Sequence, residues 1–145
     1  MEIKSAIGQQ SPLIDDALNL RQHVFINEQG FDPLIEVDEY DDVALHIVAY
    51  IDNQPVGVAR LIFQENNKAK IGRVAVLKAY RALGVGKQLM EYLINYAQNH
   101  HLSELCLSSQ LHAKHFYAKL GFQAQGDVYL EEEAEHIWMV LPISS

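Results

Sequence analysis

The sequence predicts an α/β fold of the α+β class, built on one mixed sheet. Three observations predict it. Short apolar, β-branched runs outnumber helical patterns. Two of these runs, 44–51 and 56–63, flank the turn cluster Asp52-Asn53-Gln54-Pro55 and read as an antiparallel hairpin. A third run, 71–77, leads through a turn holding Gly84 and Gly86 into an amphipathic stretch, then into another apolar run at 102–107. Such a strand–helix–strand unit implies a right-handed parallel crossover inside the sheet. At 145 residues the chain is expected to be one domain, 1–145, large enough to bury a core.

Residues 2–7 suggest a first strand. Ser11-Pro12 followed by Asp15 and Asp16 marks a helix start: a capping hydroxyl, proline at the first helical position, acids in the first turn. That helix is expected to run to Val24 or Phe25, with a loop or short second helix from there to Asp42. After the hairpin, Glu65-Asn66-Asn67-Lys68 makes the turn into the 71–77 strand. In the following helix Val85, Leu89, Leu93 and Ala97 form one stripe, with Met90 and Ile94 beside it. It ends near His100-His101. A fifth strand spans 102–107, a further helix spans 112–120 and is stopped by Gly121, and strands from Phe122 onward and at 137–141 complete the sheet.

Composition narrows function. No apolar stretch approaches the roughly 20 residues of a membrane helix, and Met1-Glu2-Ile3-Lys4 has no signal-peptide pattern. The single Cys106, inside Leu105-Cys106-Leu107, reads as a small buried hydrophobe and cannot form an internal disulfide. These features predict a cytoplasmic protein without a membrane partner. A net charge of −8 argues against nucleic acid. Yet six of the eleven basic residues (Lys68, Lys70, Arg73, Lys78, Arg81, Lys87) lie between 68 and 87, and no acid occurs from Asn66 to Met90. Residues 28–42 hold seven acids (Glu28, Asp32, Glu36, Asp38, Glu39, Asp41, Asp42) and no base.

The basic segment surrounds a glycine turn whose helix start, 82–86, carries no Ser, Thr, Asp or Asn to satisfy its amides. Open N–H groups at the positive end of a helix dipole favour an anion. The motif is not a P-loop, because Arg81 stands where the first glycine should and Gln88 follows Lys87. It is not a dinucleotide fingerprint either, because Leu89 replaces the third glycine. His112 and His115 lack carboxylate or cysteine partners, so no metal is expected.

Arg81-Ala82-Leu83-Gly84-Val85-Gly86 resembles the Arg/Gln-x-x-Gly-x-Gly/Ala loop of the GNAT superfamily of N-acetyltransferases. Val74-Ala75-Val76 before it and Phe116-Tyr117-Ala118-Lys119-Leu120-Gly121-Phe122 after it are similar to the family's other signatures, in order and at the expected distance. Arg21 to Gln29, Arg-Gln-His-Val-Phe-Ile-Asn-Glu-Gln, resembles the ElaA/YjcF-like branch. The resemblance implies the GNAT fold, a mostly antiparallel six- to seven-stranded mixed sheet flanked by about four helices. It also implies acetyl-CoA as co-substrate. The pyrophosphate would lie on the amides of Ala82, Leu83, Gly84, Val85, Gly86 and Lys87, with Arg81 on phosphate. The pantetheine would lie along Val74, Ala75 and Val76.

The implied reaction is direct attack of a primary amine, on a small molecule or a peptide, on the thioester in a ternary complex. It needs a neutral amine, an oxyanion donor and a proton for the thiolate. Tyr117 stands at the family's general-acid position and next to the cofactor. An Asn seven residues before that Tyr is common in the family; here it is Gln110, which keeps the amide. Glu28, Glu39, His46 and His136 are all candidates for the base. Glu28, with Gln29 and Arg21, is favoured on the substrate side because the N-terminal helices border the acceptor site in this fold. His46 and His136 lie in or beside apolar strands, where an interior histidine is the default. The acids at 28–42 and 131–135 would suit a cationic acceptor. A non-catalytic acetyl-CoA-binding module is the alternative function, against which Tyr117 argues. The resemblance also admits a homodimer.

Overall fold

The computed structural model describes residues 1–9, 11–30 and 38–143. Its strands are β1 (Glu2–Ile7), β2 (Leu45–Ile51), β3 (Gln54–Phe63), β4 (Lys68–Val76), β5 (Glu104–Gln110), β6 (Gln123–Glu131) and β7 (Ala134–Pro142). They form one sheet in the order β1-β2-β3-β4-β5-β7-β6. β4 and β5 pair in parallel, whereas β1 with β2, β2 with β3, β5 with β7 and β6 with β7 are antiparallel. The mixed, mostly antiparallel sheet is as expected, and the parallel pair is the one flanking the 71–107 unit. The α-helices are α1 (Leu13–Arg21), α2 (Val85–Asn99) and α3 (Lys114–Lys119).

The chain divides into two compact units. The first comprises Met1–Ile62 and Arg73–Leu93. Its core packs Leu13, Ile14, Ala17, Leu20 and Val24 with Val48, Val58 and Ala75. Burying a side chain of that size contributes about 1.5–3 kcal/mol. The Ser11 hydroxyl receives the Leu13 amide at 3.3 Å, as a helix start requires. α1 does not stop at residue 24 or 25. It continues as a π-helical segment, Gln22–Glu28, and ends where Gly30, at φ +79°, sends its amide back to Ile26. The expected loop or second helix before Asp42 falls partly outside the described residues, with Asp32 and Glu36. The hairpin turn is tighter than expected: Asp52 and Asn53, both at positive φ, form a two-residue loop, and Pro55 already pairs with Tyr50. Gly57 lets α2 approach β3, since a Cβ there would sit 2.7 Å from a Val85 methyl.

A charge cluster is buried in this unit. Arg21 grips Asp41 through two nitrogens at 2.8 and 3.1 Å, and neither side chain is exposed. Arg60 reaches the same carboxylate at 2.9 Å and Asp38 at 2.7 and 2.8 Å. The Asp38 amide also donates to Asp41, at 3.1 Å. Burial alone would raise the Asp41 pKa, but the Arg21 guanidinium and these further donors outweigh it and hold the carboxyl far below the usual range.

The second unit comprises Phe63–Gly72 and Ile94–Ser145. β5 begins at Glu104, not 102, because Leu102 donates to the Ala97 carbonyl and Ser103 to that of Asn67. Cys106 is buried, with its thiol toward the Ala69 carbonyl and its pKa pushed up by burial, consistent with a structural role. A short 3-10 turn at 111–113 leads into α3. Gly121, at φ +104°, ends α3 with amide bonds Gly121 to Ala118 and Phe122 to Tyr117, the Schellman pattern. The turn from β6 to β7 places Glu132 and Glu133 at φ +54° and +64°, a conformation suited to Asn and Gly.

Two stability measurements test this account. Asp41→Asn removes the charge that Arg21 and Arg60 share, leaving Arg60 with Asp38, and should cost about 3–5 kcal/mol in denaturant unfolding. The depressed Asp41 pKa contributes stability that is full above the ordinary value of 3.8 and is lost as pH falls below it, so the variant's acid slope should be shallower. Replacing Glu132 and Glu133 by Asn and Gly should instead stabilise the protein, by about 1 kcal/mol.

Candidate active site

In the first unit the candidate residues gather where β4 ends. Arg73 adopts φ +48°, unusual for a residue with a side chain, and its guanidinium lies 3.3 Å from Asp38. The parallel register with β5 covers Lys68–Ile71. Beyond Arg73, Ala75 is buried and Val74 and Val76 are half-buried. The Leu77 amide bonds the Val56 carbonyl at 2.9 Å. A 3-10 turn, Lys78–Leu83, then ends at Gly84, whose φ of +80° requires glycine. α2 opens immediately after, with a bond at 3.1 Å from the Gln88 amide to the Gly84 carbonyl. The amides of Val85, Gly86 and Lys87 therefore stand in the first turn. Ala82, Leu83, Gly84 and Lys87 are exposed, and a Cβ on Gly84 would meet no atom within 4 Å. An anion has open access to this turn.

Arg81 lies across the same turn but reaches back into the protein. Its Nε donates to the Val76 carbonyl at 2.9 Å and its terminal nitrogen to Glu28 Oε1 at 2.6 Å. That hydrogen bond is the main reason the Glu28 pKa lies below its ordinary value. The carboxylate expected as the base is thus held by Arg81 in this structure. Gln29 follows it and is exposed.

Two other expectations fail on burial. Arg21 and His46 have no exposed surface and cannot touch an acceptor from outside the core. Arg21 belongs to the Asp41 cluster. His46 donates Nε2–H to the Asp41 backbone carbonyl at 3.0 Å, and burial lowers its pKa and keeps it neutral. Glu39 sits in the 3-10 turn Glu39–Asp42 and is exposed.

The second unit carries the remaining candidates. Tyr117, on α3, packs edge-on against Phe116 and Phe122, and their desolvation pushes its pKa up to about 12. Gln110 ends β5, its side-chain oxygen accepting from His112 Nε2 at 2.7 Å. His136 pairs with Gln110 across the β5–β7 ladder and is buried. Its neighbours Ser108 and Tyr129 were not legible in the sequence, and Glu131 was so only as one of the acids at 131–135, since only the register of three strands brings them together. Among the described residues no group of three or more His, Cys, Asp or Glu could hold a metal. No helix among them is long and apolar enough to cross a membrane.

A family profile described as acetyltransferase (GNAT) domain matches residues 21–143. The uncharacterized N-acetyltransferase YjcF of Bacillus subtilis (strain 168) is 31% identical over 139 residues, covering 95% of this chain and 99% of that protein. The crystal structure of an acyl-CoA N-acyltransferase from Pseudomonas aeruginosa is similar with a TM-score of 0.85 and 33% identity, over 96% of this chain and 97% of the other. Escherichia coli ElaA matches with a TM-score of 0.86 and 29% identity, over 97% and 99%.

Because the Glu28–Arg81 pair is largely exposed, Glu28→Gln should change unfolding free energy by no more than about 1 kcal/mol. Gly84→Ala, forced into the left-handed region, should cost about 1–2 kcal/mol while leaving the fold intact by circular dichroism.

Proposed function

The chain belongs to the GNAT acetyltransferase family, and from that premise we propose that it transfers the acetyl group of acetyl-CoA to a primary amine by direct attack in a ternary complex. The observation that carries this reading is the turn at Arg81–Lys87. It offers exposed backbone at the positive end of a 15-residue helix, among basic residues and without a competing capping side chain. A pyrophosphate is the anion that such a turn suits. Lys78 and Lys87 would add attraction, and Arg81 would exchange Glu28 for phosphate or hold the turn while the amides bind. The backbone of Val74, Ala75 and Val76 would receive the pantetheine, and Gln110 would offer its side-chain amide to the coenzyme. The 33% identity to a protein described as an acyl-CoA N-acyltransferase supports an acyl-CoA donor.

Tyr117 would serve the leaving group. A thiol ordinarily ionises near pH 8.5. A phenol at about 12 therefore holds its proton against a thiolate and acts mainly as a hydrogen-bond donor to the developing charge. Removing one preorganised donor of this kind typically costs about 10²–10³ in rate. The role needs a protonated phenol throughout the neutral range, which the raised pKa supplies.

Acetyl-CoA should raise the melting temperature of the wild-type protein, and less so that of Gly84→Ala. Thiol release with a panel of polyamines, aminosugars, amino acids and peptides should identify acceptors. Tyr117→Phe should lower kcat by about 10²-fold with little change in the KM for acetyl-CoA. Binding without turnover on any acceptor would point to a cofactor-binding module. No stabilisation by acetyl-CoA at all would sink both readings.

A further inference from the structure

The second unit holds a polar chain that the donor chemistry leaves unused. The hydroxyls of Ser108 on β5 and Tyr129 on β6 are in contact, and Ser108 Oγ donates to Glu131 Oε2 at 3.2 Å. With the serine proton directed to the carboxylate, the tyrosine hydroxyl is the donor to Ser108. Glu131 Oε2 in turn lies 3.5 Å from His136 Nε2 on β7, long for a hydrogen bond. His136 is only 5% exposed, and its ring stacks on Tyr129. Its Nδ1 lies 2.8 Å from the Ala134 carbonyl. A carbonyl can only accept, so Nδ1 carries the hydrogen, and whenever the ring is neutral Nε2 presents a lone pair.

Two acceptors, an imidazole lone pair and a carboxylate oxygen, thus face each other. A hydrogen between them satisfies both: a proton on Nε2, which makes the ring an imidazolium, or an N–H from a bound cation. The surroundings agree. From Leu120 to Ile143 the chain has five carboxylates (Asp127, Glu131, Glu132, Glu133, Glu135) and no Lys or Arg. Glu131 keeps 44% of its side chain exposed, so a solute can reach the pair. We infer that Glu131 and His136, backed by Ser108 and Tyr129, form the seat for the primary ammonium group of the acceptor. Here R–NH3+ donates one N–H to the carboxylate and one to Nε2. Transfer of the second proton breaks that N–H bond, forms an N–H bond on the imidazole, and leaves R–NH2 beside an imidazolium balanced by Glu131. The nucleophile is then neutral, and no electrons are exchanged with any third species. As the base for acetyl transfer this assignment rests on the reading above; as an ammonium site it stands independently.

Two readouts test it. Glu131→Gln keeps the shape of an exposed side chain and should fold normally. It should raise the KM for cationic amines by about tenfold or more, with the KM for acetyl-CoA and the acetyl-CoA thermal shift unchanged. Separately, n-butylammonium titrated into the wild-type protein should move the imidazole NMR signals of His136, n-butanol should not, and Glu131→Gln should abolish the effect. An unchanged amine KM in the variant would overturn the inference. So would a His136 ring indifferent to n-butylammonium, or one equally responsive to n-butanol. If acetyl-CoA fails to bind, the acetyl-transfer reading falls, and the n-butylammonium titration still decides the seat.

Discussion

The Asp41 carboxylate, enclosed with two guanidiniums in the first unit, is the constraint on which the neighbouring elements depend. Taking one carboxylate and Arg21 wholly out of water is expensive, and only several well-aligned hydrogen bonds repay it. Those bonds come from three places in the chain: the last residue of α1, the middle of β3 and the turn at 38–42. Each must hold its position for the others to be satisfied. Among the described residues, His46 Nδ1 and Arg60 Nε are buried and have no hydrogen-bond partner. Apolar residues could fill the same space, but without the directionality that sets helix against strand.

That anchoring reaches the candidate cofactor turn through continuous geometry. Arg21 fixes the end of α1, and the π-helical segment carries the chain seven residues on to Glu28. Glu28 holds Arg81, and Arg81 holds the Val76 carbonyl. Asp38, bound to Arg60, also faces Arg73, whose positive φ is a strained conformation that local contacts must sustain. The buried ions and the open glycine turn are therefore parts of one hydrogen-bonded framework. Rigid positioning of backbone amides is what such a turn needs, because unpaired donors bind an anion well only when already oriented.

The second unit solves a different problem. Its β6–β7 hairpin turns on two glutamates in a conformation that glycine and asparagine adopt more cheaply. The pairing of Tyr129 with His136 across the hairpin, and of Gln110 with His136 across the next ladder, stacks polar side chains over three strands. Tyr117 in the same unit lies in an aromatic setting that keeps its hydroxyl protonated.

Local signals in the sequence carried much of this. The apolar stripe Val85, Leu89, Leu93, Ala97 is buried along α2, and Gly121 ends α3 where helix geometry demands a residue without a Cβ. The glycine turn was legible because its chemistry is backbone chemistry, set by spacing along the chain. Side chains that act through space were not. Arg21 and Glu28 sit in a segment with a family resemblance and His46 in an apolar strand, yet Arg21 and His46 are interior and Glu28 is ion-paired to Arg81. Glu131 looked like one acid among several until strand register set it against His136. By itself the sequence determined the fold class, the family and the glycine turn, since periodicity and contiguous motifs are properties of neighbours in the chain. Only tertiary structure decided which charges are buried, which are paired and which face an acceptor, because desolvation and partnership depend on residues brought together from 20 to more than 50 positions apart.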